Sequence, residues 1–472
     1  MRKILVCAFF SLFLILPSPV SAHAFGQLYT LPIPVWLYLW GGGAAVLVSF
    51  ILIGFFVGDR NKSLTYPEVE ISRLVTVRFL TSKTFRFFLK ITCLLIFALT
   101  ILAGFLGPKT ATDNFATLFV WIIFWLGLTY LAAVFGNLWN VVNPWKILAK
   151  AMEKNKSFKL DGIISYPQKL GYLPALIFYY IFIWLELISN GWGVKPVYLA
   201  SIILIYSFLN FAGIILVGKK IWFKYFEFFS VFFALISKVS PIKITNGRIF
   251  LRPPFMGLLD EEAESFTLLL FIIFMLSSTA FDGFRSTVAF RKIDFLTSQI
   301  ATGANSYQII ESVLLALSGI FFLALYLWAI VLVKTLIKTG FSFFNLARKF
   351  SYSLIPIALA YNIAHYYTLL LVQGQSIIPA VSDPLNLGWN LFNGNGFRVN
   401  VGIVNAAFVW NSQVAVIIIG HIAAVYVAHL IALKNFPSPK KAMLSQLPML
   451  ILMIAYTITG LWILSQPLTL GR

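Results

Sequence analysis

The chain has 472 residues, of which 60% are hydrophobic and only 11% are charged, and its formal net charge is +20. Ordinary soluble domains carry about a quarter charged residues, so this composition excludes them. Lys and Arg fall in short clusters between apolar runs of about 20 residues, as in the cytoplasmic loops of membrane proteins, and not on one face that could bind nucleic acid. The composition therefore predicts an all-α, polytopic transmembrane bundle in a lipid bilayer.

The first 22 residues have the pattern of a secretory signal peptide. Two basic residues precede an apolar core at residues 4–16, and a small-residue cleavage pattern ends at Ala22. We expect residues 1–22 to be removed and residues 23–472 to form a single transmembrane domain. The mature N-terminus would then lie outside the bacterial inner membrane.

Ten apolar runs follow that are long enough to cross a bilayer as helices. They lie at about residues 34–56, 88–107, 117–135, 172–189, 197–217, 266–281, 309–333, 351–375, 413–433 and 447–464. This order places the basic clusters in cytoplasmic loops, so we expect both termini to be extracytoplasmic.

The aromatic-rich segment at residues 222–240 is interrupted by Lys224, Glu227 and Lys238. If it crossed the membrane, every later basic loop would lie on the wrong side. We therefore predict an interfacial or re-entrant helix at this position, not a span.

The loop that joins the eighth and ninth runs, at about residues 377–411, is nearly neutral and rich in Asn and Gly. Its length exceeds that of ordinary connections, which favours a functional cap or lid. It contains Asp383, which together with Asp282 and Glu311 forms the set of outer carboxylates that could supply metal ligands. The alternative is that each of the three is a solvated interfacial charge.

Three of the four histidines lie in the eighth and ninth runs, and ionisable groups at membrane depth are functional hypotheses by default. His365 lies roughly 21 Å from the cytoplasmic start of its run and His421 roughly 12 Å from the outer start of its own. The two are thus predicted at nearly equal depth, where they could touch. His429 is roughly 12 Å deeper than His421, which excludes a shared site but allows a stepwise path.

Imidazole suits copper, zinc or haem iron, and it also relays protons near neutral pH. The alternative is that each histidine only bonds a neighbouring helix and holds the bundle together. The polar residues expected to support the site are Asn362, Tyr366 and Tyr426.

His23 would become the N-terminal residue if cleavage follows Ala22. Its free amine and its ring nitrogen could then chelate one copper ion outside the membrane. This extracytoplasmic site is a second hypothesis, separate from the intramembrane histidines.

Two further polar segments have both a functional and a structural interpretation. Glu186, near the outer end of the fourth run, could relay protons or could extend to the interface. The segment GNLWNVVNPWK at residues 136–146 is interpreted as a helix stop, because Asn and Pro can satisfy helix-terminal groups.

Several segments resemble one known family. They are HAFGQLYTLPIPVWLYL (23–39), GNLW (136–139) with NPW (143–145), AHY (364–366) through Gln375, SDP (382–384) with GW (388–389), and GH (420–421) through AH (428–429). Together they are similar, over most of the chain, to multi-spanning bacterial membrane proteins that often carry the label fenitrothion hydrolase. The resemblance implies organophosphate hydrolysis, a chemistry that usually employs a metal-activated hydroxide.

The sequence thus supports a membrane permease or metal-handling protein in which His365 and His421 bind a transition metal or relay protons. One alternative is a membrane-embedded, metal-dependent hydrolase, and another is a structural subunit of a larger membrane complex. The substrate, a small molecule or an ion, and the question of enzymatic activity stay open at this point.

Overall fold

The computed structural model describes residues 21–24, 27–30, 33–57, 66–154, 160–298, 303, 305–394, 396–436 and 438–466. Residues 1–20, the greater part of the predicted signal peptide, lie outside these ranges, as does the side chain of His23. Neither the predicted cleavage nor the copper site at His23 falls on described side chains.

Helices make up most of the described structure. Those of the first half are α1 (Val35–Phe56), α2 (Val75–Leu80), α3 (Lys83–Leu106), α4 (Phe115–Phe135), α5 (Trp139–Val142), α6 (Pro144–Met152), α7 (Leu173–Leu187), α8 (Pro196–Val217), α9 (Lys219–Tyr225) and α10 (Phe228–Ser237). Those of the second half are α11 (Phe266–Arg285), α12 (Val288–Ser298), α13 (Ser306–Ile337), α14 (Phe343–Phe350), α15 (Ile355–Val372), α16 (Ile377–Ser382), α17 (Ala406–Asn435) and α18 (Pro439–Ser465).

Short strands form two small antiparallel sheets. β1 (Ser21–Ala24) pairs with β2 (Gln27–Thr30), and His23 in β1 lies opposite Leu28. A second sheet has the order β3 (Val69–Glu70), β5 (Arg248–Leu251), β4 (Ile242–Thr245), and so joins the loop before α2 to the segment after α10.

The described residues contain nine helices that are long and apolar enough to cross a membrane. The remaining predicted run, the fourth at residues 172–189, corresponds to α7, an apolar helix of 15 residues. The predicted helical bundle is therefore confirmed, whereas the number of membrane crossings stays a prediction.

Large apolar side chains cover much of the outside of this bundle. Val48 is 52% exposed, Ile205 60% and Phe208 71%, and each lies in one of the nine long helices. A surface of this kind is expected where hydrocarbon, not water, is the solvent.

Helix α11 lies between two groups of helices. Most of its residues are buried, and it contacts α7 on one side and both α13 and α15 on the other. The first group contains α3, α4, α7, α8 and α10, and the second contains α1, α13, α15, α17 and α18. Polar groups on α11 can therefore reach both groups.

Helices α15 and α17 run antiparallel and are in close contact. A Cβ atom added at Gly420 would lie 2.1 Å from the Cβ of Ala360 and 3.0 Å from the carbonyl oxygen of Pro356. The absence of a side chain at Gly420 is what lets the two backbones approach so closely.

Helices α9 and α10 form a helical hairpin that inserts into the bundle and returns to the side from which it entered. Trp222 in α9 donates a 2.7 Å hydrogen bond to Asn210 in α8, and its ring packs over Gly213. After α10, Ser240 donates to the carbonyl of Val134 near the end of α4. Because α4 and α8 end on the same side of the bundle, both ends of this hairpin lie at that side. The predicted interfacial or re-entrant placement in a membrane stays a prediction.

Glu227 lies at the tip of this hairpin, and its side chain is fully buried. The carboxylate accepts hydrogen bonds from Trp139 Nε1 (3.1 Å), Asn143 Nδ2 (3.0 Å), the Tyr206 hydroxyl (3.1 Å), and both the backbone N–H (2.9 Å) and hydroxyl (2.5 Å) of Ser230. It thereby caps the N-terminus of α10 and joins it to α5 and α8.

The segment at residues 136–146 behaves as the predicted helix stop. Gly136 ends α4 with a φ of 87°, a conformation that favours glycine. The Asn143 side-chain oxygen accepts from the backbone N–H of Lys146 and begins α6. The segment also has a second role that the sequence did not reveal, because the other end of the Asn143 amide bonds Glu227.

Substituting Gly420→Ala should destabilise the protein. The added methyl group must push α15 and α17 apart, and overpacking of this kind lowers the free energy of unfolding by about 1–3 kcal/mol. Gly41→Ala is the matched control, because a Cβ at Gly41 in α1 meets no atom within 4 Å. Unfolding in detergent measures both, and equal stabilities would contradict the close contact at Gly420.

Substituting Glu227→Gln should also destabilise the protein. The amide replaces one accepting oxygen by a donor that faces other donors, and each unsatisfied buried group costs about 1–3 kcal/mol. Glu261→Gln is the control, because Glu261 is 70% exposed and pairs with Lys238 at the surface, where such pairs contribute about 0–1 kcal/mol. A Glu227→Gln protein as stable as Glu261→Gln would refute the role assigned to the hairpin tip.

Candidate functional site

The predicted site residue His365 is paired with Asp282 inside the bundle. His365 Nε2 in α15 lies 2.9 Å from Asp282 Oδ2 in α11, and the Tyr366 hydroxyl donates to the same oxygen at 2.6 Å. The side chains of His365 and Asp282 are each only 15% exposed. The alternative of Asp282 as a solvated interfacial charge is therefore wrong, because the carboxylate is turned towards α15.

A second carboxylate approaches this group from α7. Glu186 lies within electrostatic range of Asp282 and of Tyr366, and no hydrogen bond joins its carboxyl group to any described residue. Glu186 is thus a neighbour of the Asp282 pair, and both predicted interpretations, a proton relay and a side chain that extends to the interface, stay predictions. Helices α7, α11 and α15 thus bring two acids and one imidazole together.

Glu311 is not a solvated charge, since its side chain is 1% exposed. Arg285, one turn after Asp282, donates to Glu311 through Nε (2.7 Å) and Nη2 (3.1 Å), and the Tyr307 hydroxyl donates at 2.6 Å. The two-point geometry makes this a strong pair. It leaves Glu311 less suited to the predicted role of a metal ligand.

His421 does not meet His365, and their predicted equal depth is wrong. Gln413 donates to the carbonyl of Ala364 at 2.9 Å, which sets His365 level with Gln413. His421 lies eight residues further along α17, roughly 12 Å at 1.5 Å per residue. The prediction failed because α17 begins at Ala406, seven residues before the start that its hydropathy indicated.

His421 and His429 are held at one ring nitrogen each. His421 Nδ1 lies 2.8 Å from the carbonyl oxygen of Ile417, and His429 Nδ1 lies 2.9 Å from the amide nitrogen of Gln446. Both side chains are 1% exposed. Because a carbonyl only accepts, His421 Nδ1 carries a proton and Nε2 has a free lone pair. His429 Nδ1 faces an amide N–H donor, so His429 carries its proton on Nε2.

Nine buried side-chain atoms in the described part of the chain have no hydrogen-bond partner. They are Asn345 Oδ1, Arg348 Nε, Tyr361 OH, Asn362 Oδ1, Trp410 Nε1, His421 Nε2, His429 Nε2, Gln446 Oε1 and Tyr456 OH. All nine belong to α14, α15, α17 and α18, and each of the other three helices contacts α17. We call this set, together with Asp282 and His365, the polar column.

Tyr361 lies where the column meets the Asp282 pair. Its ring is parallel to that of His365, one turn further along α15, with centroids 6.3 Å apart. A Cβ at Gly283 would lie 2.8 Å from the Tyr361 hydroxyl, so this hydroxyl borders α11. Tyr361 also packs in a cluster with Ile417, which precedes His421 by one turn.

The remaining predicted residues have other surroundings. Asn362 Oδ1 belongs to the polar column, whereas Tyr426 packs as a half-buried ring against the core. Asp383 accepts from the backbone N–H groups of Leu387 and Gly388, both at 2.8 Å, and so shapes its own loop. Asp383 is thus an internal loop contact and not part of the polar column.

No group of three or more His, Cys, Asp or Glu side chains that could hold a metal ion occurs within the described ranges. Asp282 and His365 supply two such ligands. The predicted copper, zinc or haem site therefore stays a prediction. Comparison of the chain with known proteins found no matching family model, curated protein or solved structure, so the resemblance to proteins labelled fenitrothion hydrolase also stays a prediction.

Breaking the Arg285–Glu311 pair from one side should destabilise the protein more than removing both charges. Glu311→Leu leaves the guanidinium of Arg285, which is 29% exposed, without its partner, and this change should lower the free energy of unfolding by about 1–3 kcal/mol. The double variant Arg285→Met, Glu311→Leu should recover most of that loss, since apolar replacement of a whole buried pair is often neutral. A double variant as unstable as the single one, measured by unfolding in detergent, would contradict this.

Proposed function

We propose that this chain is a multi-pass permease of the bacterial inner membrane that moves protons along the polar column while it transports a small molecule or an ion. The observation that carries the proposal is the column itself. Buried polar groups without partners cost about 1–3 kcal/mol each, and at membrane depth such groups mark substrate and proton paths.

The distribution of these atoms favours function over chance. In the first group of helices the buried polar side chains Asn114, Asn210 and Glu227 are bonded at both of their polar atoms. Among the described residues, every buried side-chain atom without a partner instead follows Phe343, in the second group and the adjoining α14. A merely structural role for the histidines would leave no reason for this separation.

The chemistry at the outer end of the proposed path is an exchange between an acid and an imidazole. When His365 is an imidazolium, its Nε2 proton can pass to Asp282 Oδ2 across the 2.9 Å contact, which leaves a neutral imidazole and a carboxylic acid. Before the transfer, the Tyr366 hydroxyl stabilises the accepting carboxylate. Glu186 offers a second acceptor from α7. Imidazole is suited to this work because its protonation changes near neutral pH.

Further along the path the two histidines have complementary free nitrogens. His421 presents a lone pair at Nε2, whereas His429 presents an N–H there. The steps of roughly 12 Å between successive histidines are too long for direct transfer. Water, or the hydroxyl groups of Tyr361 and Tyr456, must therefore bridge them.

A proton-flux measurement tests this proposal without knowledge of the transported molecule. Purified protein in vesicles that contain a trapped pH dye is given a potassium gradient and valinomycin, and the rate of internal pH change is recorded. His365→Ala, His421→Ala and Tyr361→Phe should each lower the protein-dependent flux by about 10-fold or more, as expected for positioned proton-transfer groups.

Tyr326→Phe is the matched control for Tyr361→Phe. Tyr326 is also fully buried, but its hydroxyl donates to the carbonyl of Ala347 at 2.6 Å and does not belong to the column. Its removal should leave the flux unchanged. Equal flux in Tyr361→Phe and the wild type, or in both histidine variants and the wild type, would refute the proton path.

A further inference from the structure

A separate apolar cavity of about 470 Å³ lies in the first group of helices. Its walls come from α3, α4, α7, α8 and α10, with one end at α6. It contains no member of the polar column. Its ligand therefore concerns a different function from the proton path proposed above.

The cavity is elongated along the helices. Along α4 its lining residues extend from Phe119 to Leu131. Along α8 they extend from Leu199 to Leu209, ten residues or roughly 15 Å. A slot parallel to the helices fits an extended hydrocarbon chain better than a compact solute.

The wall contributed by α4 has unusual backbone geometry. Residues Phe119–Gly127 form a π-helix of nine residues, whereas π-helical segments are normally single turns and frequently occur at functional sites. Several lining residues, among them Trp121 and Phe124, belong to this segment. The wider helix thus forms the cavity wall itself.

The cavity reaches the apolar exterior of the bundle. Its lining residues Leu131, Ile181 and Ile205 are 47%, 45% and 60% exposed. They belong to α4, α7 and α8, two of which are among the nine long apolar helices. A hydrocarbon chain can therefore enter sideways from the lipid without crossing water.

The end of the cavity at Pro144 and Trp145 is positively charged. Lys146 follows these two lining residues, and its Nζ lies 5.5 Å from the centroid of the Phe223 ring. Lys150 lies within electrostatic range of Lys146, as do Lys219 and the buried Glu227, and Lys219 is paired with Glu153. Lys146 and Lys150 are thus the cations beside the apolar slot that can match the headgroup of an anionic lipid.

We propose that this cavity binds one anionic phospholipid, with an acyl chain in the slot and the phosphate next to Lys146. The chain contacts apolar walls at membrane depth, and the headgroup lies where the lysines concentrate positive charge. The bound lipid would join α3, α4 and α8 to the re-entrant hairpin.

The test is native mass spectrometry of the full chain released from nanodiscs that contain equal amounts of phosphatidylglycerol and phosphatidylethanolamine. We expect one retained phosphatidylglycerol per wild-type chain. Ile202→Trp fills the slot and should lower retention at least fivefold. Leu204→Trp, on the same helix but 45% exposed and outside the lining, should leave retention unchanged.

A second pair of variants tests the charged end without changing the slot. Lys146→Gln should lower retention of phosphatidylglycerol at least threefold, whereas Lys154→Gln, an exposed lysine after α6, should not.

Equal retention of both lipids by the wild type, no retained lipid, or full retention in folded Ile202→Trp would overturn the proposal. If Ile202→Trp does not fold, fluorescence quenching of the wild type by a dibrominated phosphatidylglycerol replaces this test, since Trp121, Trp139 and Trp145 line the cavity. Saturation of the quenching at one lipid per chain would support the proposal, and its absence would overturn the proposal.

Discussion

The structure depends on one constraint: each polar group inside an apolar bundle needs a partner, because hydrocarbon offers none. Glu227 shows how completely the first group of helices meets it. The single carboxylate receives five hydrogen bonds from Trp139, Asn143, Tyr206 and Ser230. These bonds stabilise the interruption of the helix between α9 and α10 at the hairpin tip. In the second group the same constraint is left unmet at His421, His429 and their neighbours.

Helix α11 lies between the first group of helices, where buried polar groups are bonded, and the second group, where several are not. At one end it carries Asp282, which receives His365 and Tyr366 from α15, and one turn later Arg285, which is paired with Glu311 from α13. Because Glu311 holds the Arg285 guanidinium, the Asp282 carboxylate is left to His365 and Tyr366.

Hydropathy predicted the helices well, because it follows from the cost of placing polar groups in an apolar solvent. Helix ends were harder. Residues 406–412 look like part of the outer loop, yet Asn405 accepts from the backbone N–H of Phe408 and begins α17 there. A seven-residue error in that start moved His421 by roughly 10 Å and produced the wrong pairing with His365.

Partners across the bundle could not be predicted from sequence at all. Asp282 and His365 are 83 positions apart, and nothing in either run fixes the rotation of its helix. Glu227 read as an interruption of an apolar segment, and Glu311 as an interfacial charge, since the residues that satisfy them come from other helices. At Asp282, Glu227 and Glu311 an ionisable residue in or beside an apolar run thus has a partner, but the sequence does not show which one.

The contrast between the two groups of helices also bears on motion. In the second group small residues let helices approach closely, as at Gly42 beside Leu461 and Gly460 beside Tyr361, and several buried polar atoms have no partner. In the first group the hairpin, Glu227 and the surrounding rings form a densely connected unit. A transporter needs one part that changes position relative to another. Under the proposed transport, the first group would be the fixed part, and the helices of the polar column would be the part that moves.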